Sequence, residues 1–339
     1  MSFLQLKDLN IFYRSNKKNY FYRKSFRTIY CLYLKNRSKL INIILILCSC
    51  FCWFNSVKAS SNNDTTVFST KDQAMAYIEK ITDLKESKHW PNIKPDLFLS
   101  NLKSNISNPL NIYEGSNTNF CGYAALSYLP LHFDPLGFVT FMVELYKNGE
   151  ASIRKEKFNP SAAIHKAAGT LIFKNTLDVR PADQLWFLCL ADHFKGYLNF
   201  FNNTFQPGDE DRFWASANFA KFNRMIQSLY NYNVDAVGAD LVRPHVKDLY
   251  TYIRDKFLLG GTVFLFLDNR YLTKKQHSHF RPTAPTHFIT VLDIYKKGDL
   301  ITLVYWDYGS KTLCELTPYF LKKITFGILH CTKKIADGN

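Results

Sequence analysis

Apolar positions recur every three to four residues through the middle of the chain, then switch to short, nearly unbroken runs near its end. From Thr70, the spacing of Ala74, Tyr77, Ile78 and Ile81, with Asp72 near the start, predicts an amphipathic helix. The segment GYAALSYL after Cys121 holds helix formers and no breaker before Pro130, so a helix is expected there too. Phe138–Tyr146, Ala162–Phe173, Pro181–Phe201, Asp211–Tyr230 and Pro244–Phe257 show helix-compatible spacing, with Pro181 and Pro244 at first-turn positions. Asn105 to Asn119 is rich in Asn, Ser and Pro and reads as a loop, and Pro207-Gly208 and Gly260-Gly261 punctuate. Beyond them, Thr262–Leu267, Phe288–Tyr295, Leu300–Trp306 and Thr325–Thr332 are rich in Val, Ile, Phe and Tyr and predict an antiparallel sheet. Lys297-Gly298-Asp299 supplies a hairpin turn between two of these strands. The expected class is α+β, helices first and a C-terminal sheet last, with no internal repeat and no nucleotide-binding glycine signature.

Charge changes the picture only at the N-terminus. Of the net +15, residues 1–59 carry +10 (11 Lys/Arg against Asp8), leaving +5 for the other 280 residues. No basic stripe of the kind that tracks phosphates runs through that body, so no nucleic-acid partner is expected. Residues 40–54, LINIILILCSCFCWF, are uncharged, follow a basic stretch and precede Val57-Lys58-Ala59. That is the order of an export signal, cut before Ser60. The rival readings are an uncleaved anchor, with membrane contact through residues 40–54, and a lipid-modified Cys50. All three place the body outside the cytoplasm. Residues 60–115 then form a linker and N-terminal helical segment, and 116–339 the main domain. The body's four cysteines, Cys121, Cys189, Cys314 and Cys331, lack the spacing of a zinc or thioredoxin motif. They suit two disulfides, or one disulfide with a working thiol and a buried bystander; Cys314 and Cys331 are a possible pair or two buried thiols.

Three strings carry chemistry. In Asn117-Thr118-Asn119-Phe120-Cys121-Gly122 the cysteine sits at a loop-to-helix junction. Unpaired N–H groups and the helix dipole there favour a thiolate and can donate to an oxyanion formed beside it. In Thr286-His287-Phe288-Ile289 a histidine opens a strand, where an imidazole can take and return a proton. In Tyr305-Trp306-Asp307-Tyr308-Gly309 an aspartate ends the strand expected to pair with the His287 strand. A carboxylate beside His287 fixes the imidazole's tautomer and stabilises its charged form. This placement depends on the hairpin register.

Helix-borne Cys, strand-borne His and strand-end Asp, in that order, resemble papain-like cysteine peptidases. The strings NTNFCGYAAL, HFITVLDI and VYWDYG are similar to the bacterial branch that includes staphopains and bacteriocin-leader peptidases. The likeness covers about 35 of the 339 residues. It implies a central helix bearing Cys121 packed on an antiparallel sheet, with a large helical insertion at about 135–259. It further implies an exported peptidase or amidase that takes a peptide or protein substrate, through Cys121 as nucleophile, His287 as base and acid, and Asp307 as its orienter. No cofactor and no metal are called for. The family's oxyanion-binding Gln is absent: Gly115 holds its place, after Glu114, which leaves Asn117 and Asn119 as candidate amide donors.

Each residue has a plainer reading. A cysteine is among the most often buried residue types, His287 suits any strand end, and Asp307 suits a turn. His277 and His279 alternate along one face, but Lys274, Lys275 and Arg281 around them favour a solvated loop over a metal. The missing Gln and the long helical stretch keep a non-catalytic binding protein on the same scaffold in view. A transglutaminase or deamidase would share the Cys-His-Asp order and differ in the acyl acceptor.

Overall fold

The computed structural model describes residues 68–115, 118–171, 179–196, 204–272 and 282–334. The leader read at 1–59, Asn117, His277 and His279 lie outside them. Nine α-helices and eight strands form among the described residues. α1 (Lys71–Glu79) opens on a reciprocal cap, in which Thr70 and Gln73 each accept from the other's backbone N–H. α2 (Pro95–Ser107) runs into the stretch expected to be a loop. Its Phe98, Leu102 and Ile106 recur every fourth residue and are buried. Phe98 stacks on Tyr146, ring centroids 4.4 Å apart, and the Trp90 indole donates to the Leu145 carbonyl at 2.8 Å. The segment before Cys121 is thus built into the main core.

α3 (Cys121–Phe133) continues past Pro130. α4 (Pro135–Asn148) starts on an Asp134 cap with Pro135 in its first turn, and ends on Gly149 at φ +75°. A short hairpin, β1 (Ala151–Ile153) with β2 (Glu156–Phe158), and α5 (Ala162–Ala167) follow. α6 (Pro181–His193) is buried on nearly every side. α7 (Phe219–Leu229) forms only in the second half of the run expected from Asp211, and α8 (Leu249–Leu258) is capped by Asp248 rather than starting at Pro244.

The main sheet holds β3 (Tyr232–Gly238), β4 (Thr262–Leu267), β5 (His287–Lys297), β6 (Leu300–Asp307), β7 (Ser310–Leu316) and β8 (Thr325–Lys333). All neighbours are antiparallel, in the order β3-β8-β4-β5-β6-β7. The protein is α+β, with its sheet in the C-terminal half. The stretch 135–259, expected to be a mostly helical insertion, also holds the β1–β2 hairpin and β3, and β3 forms one edge of the main sheet. Side chains alternate between two cores. Phe264, Phe266 and Phe288 join the core shared with α3 and α7, while Val263, Leu265 and Ile289 join that of α8 and α9 (Pro318–Ile324). Burial on both faces is why β4 reads as an unbroken apolar run.

All four body cysteines are free thiols, so the expected disulfides are absent. Cys314 on β7 and Cys331 on β8 have three strands between them, β4, β5 and β6. At about 4.8 Å per strand that is far beyond disulfide reach. Burial pushes both thiols up to about 12.

Candidate functional site

Cys121 is the first residue of α3, after Phe120, and is partly exposed. The Tyr123 N–H already donates to the Phe120 carbonyl at 2.9 Å, so the N–H groups that helix geometry leaves without an intrahelical acceptor beside the sulfur are those of Cys121 and Gly122. The turn before it is tied down by Thr118, whose hydroxyl donates to the Glu114 carbonyl at 2.6 Å and accepts from the Phe120 N–H at 3.2 Å. Gly122 lets α3 sit close on the sheet. A Cβ there would lie 2.6 Å from the Ala217 Cβ and 3.3 Å from the Phe288 ring. Any larger residue would lift the Cys121 end of α3 away from β5.

His287 opens β5, and its approach is held from below. The Thr286 N–H donates to the Leu267 carbonyl at 3.0 Å, and the Thr286 hydroxyl to the Asn269 side chain at 3.1 Å. The fully buried Asp268 carboxylate grips Arg270 and the Ala284 N–H, fixing the segment that leads into Thr286. The Cys121 thiol donates to the Thr286 carbonyl, with sulfur and oxygen 3.9 Å apart.

Asp307 reaches His287 because of a β-bulge. The β5–β6 ladder starts with Lys297 opposite Leu300 and would, if continued evenly, set Asp307 opposite Thr290. Leu292 is an extra residue between the Val291 and Asp293 pairs, and past it Thr290 faces Trp306. Asp307 therefore shares a face with Ile289 and His287, since successive strand residues alternate sides. The His287 Nε2 and the Asp307 Oδ1 are 2.5 Å apart, both residues buried. With Nε2 so engaged, Nδ1 is the nitrogen left for the Cys121 sulfur, which lies close enough to act on the ring electrostatically. Burial acts to lower the His287 pKa. The Cys121 sulfur and the Asp307 carboxylate outweigh it and hold the imidazole well above its usual range.

The structure thus brings Cys121, His287 and Asp307 together. Asn119 takes a different part: its side chain donates to the Arg212 carbonyl at 2.9 Å and its N–H to the Glu210 carbonyl at 2.8 Å. It braces the loop before α3. Asn117 is outside the described residues. Gly115 has φ +91°, a conformation that favours glycine.

Two residues were not anticipated. Tyr308 stacks on the His287 ring, centroids 4.9 Å apart and planes 21° apart. It holds φ +46°, and with Gly309 at φ +71° forms the two-residue turn between Asp307 and Ser310. An aromatic residue in that region costs about 1 kcal/mol, a strain that at a site asks for a reason. Covering the imidazole is such a reason. Glu114 is 1% exposed, and burial pushes its carboxyl up to about 8; the nearby Asp307 carboxylate adds to this and His287 opposes it. Its position directly before Gly115 was the only hint in the sequence.

A cavity of about 430 Å³ opens beside Cys121, lined by Phe213, Ala217, Leu241, Phe266 and Pro285 among others. That is large enough for an extended peptide side chain or two. Phe213 and Leu241 at its rim are 72% and 85% exposed. Glu114, His287 and Asp307 present one donor atom each within 4.8 Å of one another, the set among the described residues able to hold a metal ion. A cation bound there would have to break the His287–Asp307 hydrogen bond. No helix among the described residues is long and apolar enough to cross a membrane. Comparison with known proteins finds no family model, no curated protein and no solved structure that matches the chain.

Proposed function

We propose that the protein is a thiol hydrolase of papain-like architecture, exported from the cytoplasm, that cleaves amide bonds in peptides or proteins. The observation that carries this reading is the hydrogen-bonded Asp307–His287 pair set beside the Cys121 sulfur at the mouth of a mostly apolar cavity. A Cys alone, or a His–Asp pair alone, is commonplace. Three groups from α3, β5 and β6 meeting in that order at a cleft are what nucleophilic acyl transfer needs.

Chemistry at this site proceeds in two steps. The Cys121 thiolate attacks the amide carbonyl carbon, and the carbon–oxygen π pair moves onto oxygen beside the first-turn N–H groups of α3. The pair returns as the carbon–nitrogen bond breaks, and the His287 imidazolium gives its Nδ1 proton to the leaving amine. This leaves a thioester on Cys121. Neutral His287 then takes a proton from water as the water oxygen attacks the thioester. The carbon–sulfur bond breaks, the acid leaves and the thiolate–imidazolium pair is restored. Asp307 accepts from Nε2 throughout, so Nδ1 stays aimed at the sulfur.

The test is intact-mass labelling of the folded protein with an epoxide that targets thiol peptidases, beside Cys121→Ala and His287→Ala. One adduct is expected in the unaltered protein and none in either variant. Loss of any one member of such a unit costs on the order of 10⁴–10⁶ in rate. An unlabelled Cys121 in the folded protein, or labelling that survives His287→Ala undiminished, overturns the proposal and leaves a binding scaffold.

A further inference from the structure

Glu114 has no place in that two-step scheme, yet it is the third ionisable group at the Asp307–His287 end of the site. It follows the 3₁₀ turn Pro109–Asn111, in a loop anchored at both ends. On one side the Trp306 indole of β6 donates to the Leu110 carbonyl at 2.8 Å. On the other, the Thr118 hydroxyl grips Glu114's own carbonyl. The side chain is thereby held in the interior, where one donor atom each of Glu114, His287 and Asp307 lie within 4.8 Å of one another. Its Oε2 has no hydrogen-bond partner among the described residues, while its own N–H and that of Tyr308 lie against the carboxyl. A buried carboxyl oxygen without a donor is costly as an anion and acceptable as the neutral acid.

The groups that face it are few and come from every element packed around it. They are His287 from β5, Asp307 from β6 and Tyr308 from the β6–β7 turn; Cys121 of α3 acts on the far side of the His287 ring. We propose that Glu114 is a positioning residue for the Cys121–His287 pair, a neutral acid that becomes a second anion beside His287 as the pH rises and so holds the imidazolium to higher pH. This rests on the hydrolase reading above. The direction follows from the chemistry: an anion within about 5 Å of an imidazolium favours its charged form. Burial brings the Glu114 carboxyl to about 8, inside the range where the effect matters. Glu114 adds its charge beside His287 when solvent protons become scarce.

The experiment is the pH profile, from 5 to 11, of Cys121 alkylation by iodoacetamide in the whole protein, read by peptide mapping. Wild type is compared with Glu114→Gln, Glu114→Ala and His287→Ala. Loss of the imidazolium is read as the alkaline inflection. That inflection is expected about one to two pH units lower in Glu114→Gln than in wild type, the size of one charge interaction at this range in a partly screened interior. The glutamine, which keeps the shape and a hydrogen-bond donor, should react at least about tenfold faster than the alanine at pH 6.5. Wild type alone should show two inflections above pH 7, one for each group. Coincident alkaline inflections in wild type and Glu114→Gln, or a single inflection in wild type, would reduce Glu114 to packing while leaving the hydrolase reading intact. Equal labelling of Cys121 in wild type and His287→Ala would instead remove both.

Discussion

The first turn of α3 and the middle of α6 each carry one cysteine, and the two have opposite surroundings. Cys121 opens its helix, is partly exposed, donates to a carbonyl oxygen and acts electrostatically on the His287 ring. Cys189 lies between Leu188 and Leu190, 1% exposed, and burial raises its thiol well above the ordinary range. Both helices are mostly apolar and both pack in the same core. The difference is one of position along a helix, since only the first turn offers unpaired N–H groups and an opening to solvent. A thiol in mid-helix has neither, so its chemistry is that of a small apolar side chain.

The comparison can be broken most directly by labelling. At pH 7 Cys121 should react with iodoacetamide at least about 10²-fold faster than Cys189 in the folded protein, and the gap should close in denaturant. Equal rates in the folded state would mean that the end of α3 confers nothing.

A second change acts on Cys121 alone. Gly122→Ala places a Cβ where 2.6 Å separates it from Ala217. A displacement of about 1 Å at the start of α3 should slow epoxide labelling on the order of 10²-fold. Cys189, one helix away, should be unaffected, and Ala217→Gly in the same chain should restore much of the loss. Failure of that rescue would show that the close approach at Gly122 is not what seats the thiol.

The smallest effect is on stability. Glu114 and His287 both have raised values in the fold. Each therefore favours the folded state most below its unfolded pKa, about 4.5 for Glu114 and 6.5 for His287. Each contribution fades as the pH rises through the folded value. Melting temperature should fall between pH 6 and pH 9, and Glu114→Gln should flatten that slope by an amount of order 1–3 kcal/mol. A slope identical in the two proteins would place the Glu114 carboxyl in solvent contact.

Legibility in the sequence tracked burial on two faces. β4, β5, β6 and β8 are interior strands, and their expected ranges agree with the observed ones to within three residues. The two strands of the main sheet left unread, β3 and β7, are its edges. Edge strands carry polar and charged residues on their solvent side, as in SKTLCEL, and lose the apolar signal. α2 was hidden for a related reason. Its Asn and Ser residues are poor helix formers in isolation, and tertiary packing of Phe98, Leu102 and Ile106 outweighs them. In Asp211–Tyr230 the apolar spacing misled, because Phe213 and Ala217 line the cavity beside Cys121 instead of a helix face.

What the sequence determined by itself was the α+β order and the three residues of the candidate triad, because helix starts, strand starts and turn residues are local signals. Whether those three residues meet was decided only in three dimensions. The extra Leu292 in β5 shifts the ladder by one residue and turns Asp307 to the His287 side of the sheet. Nothing in the local pattern of HFITVLDI announces that bulge, since an extra residue is visible only against its partner strand. Glu114 is the same case. Its neighbours His287 and Asp307 are more than 170 residues away in the chain, and an acid in a loop looks solvated until the fold closes over it.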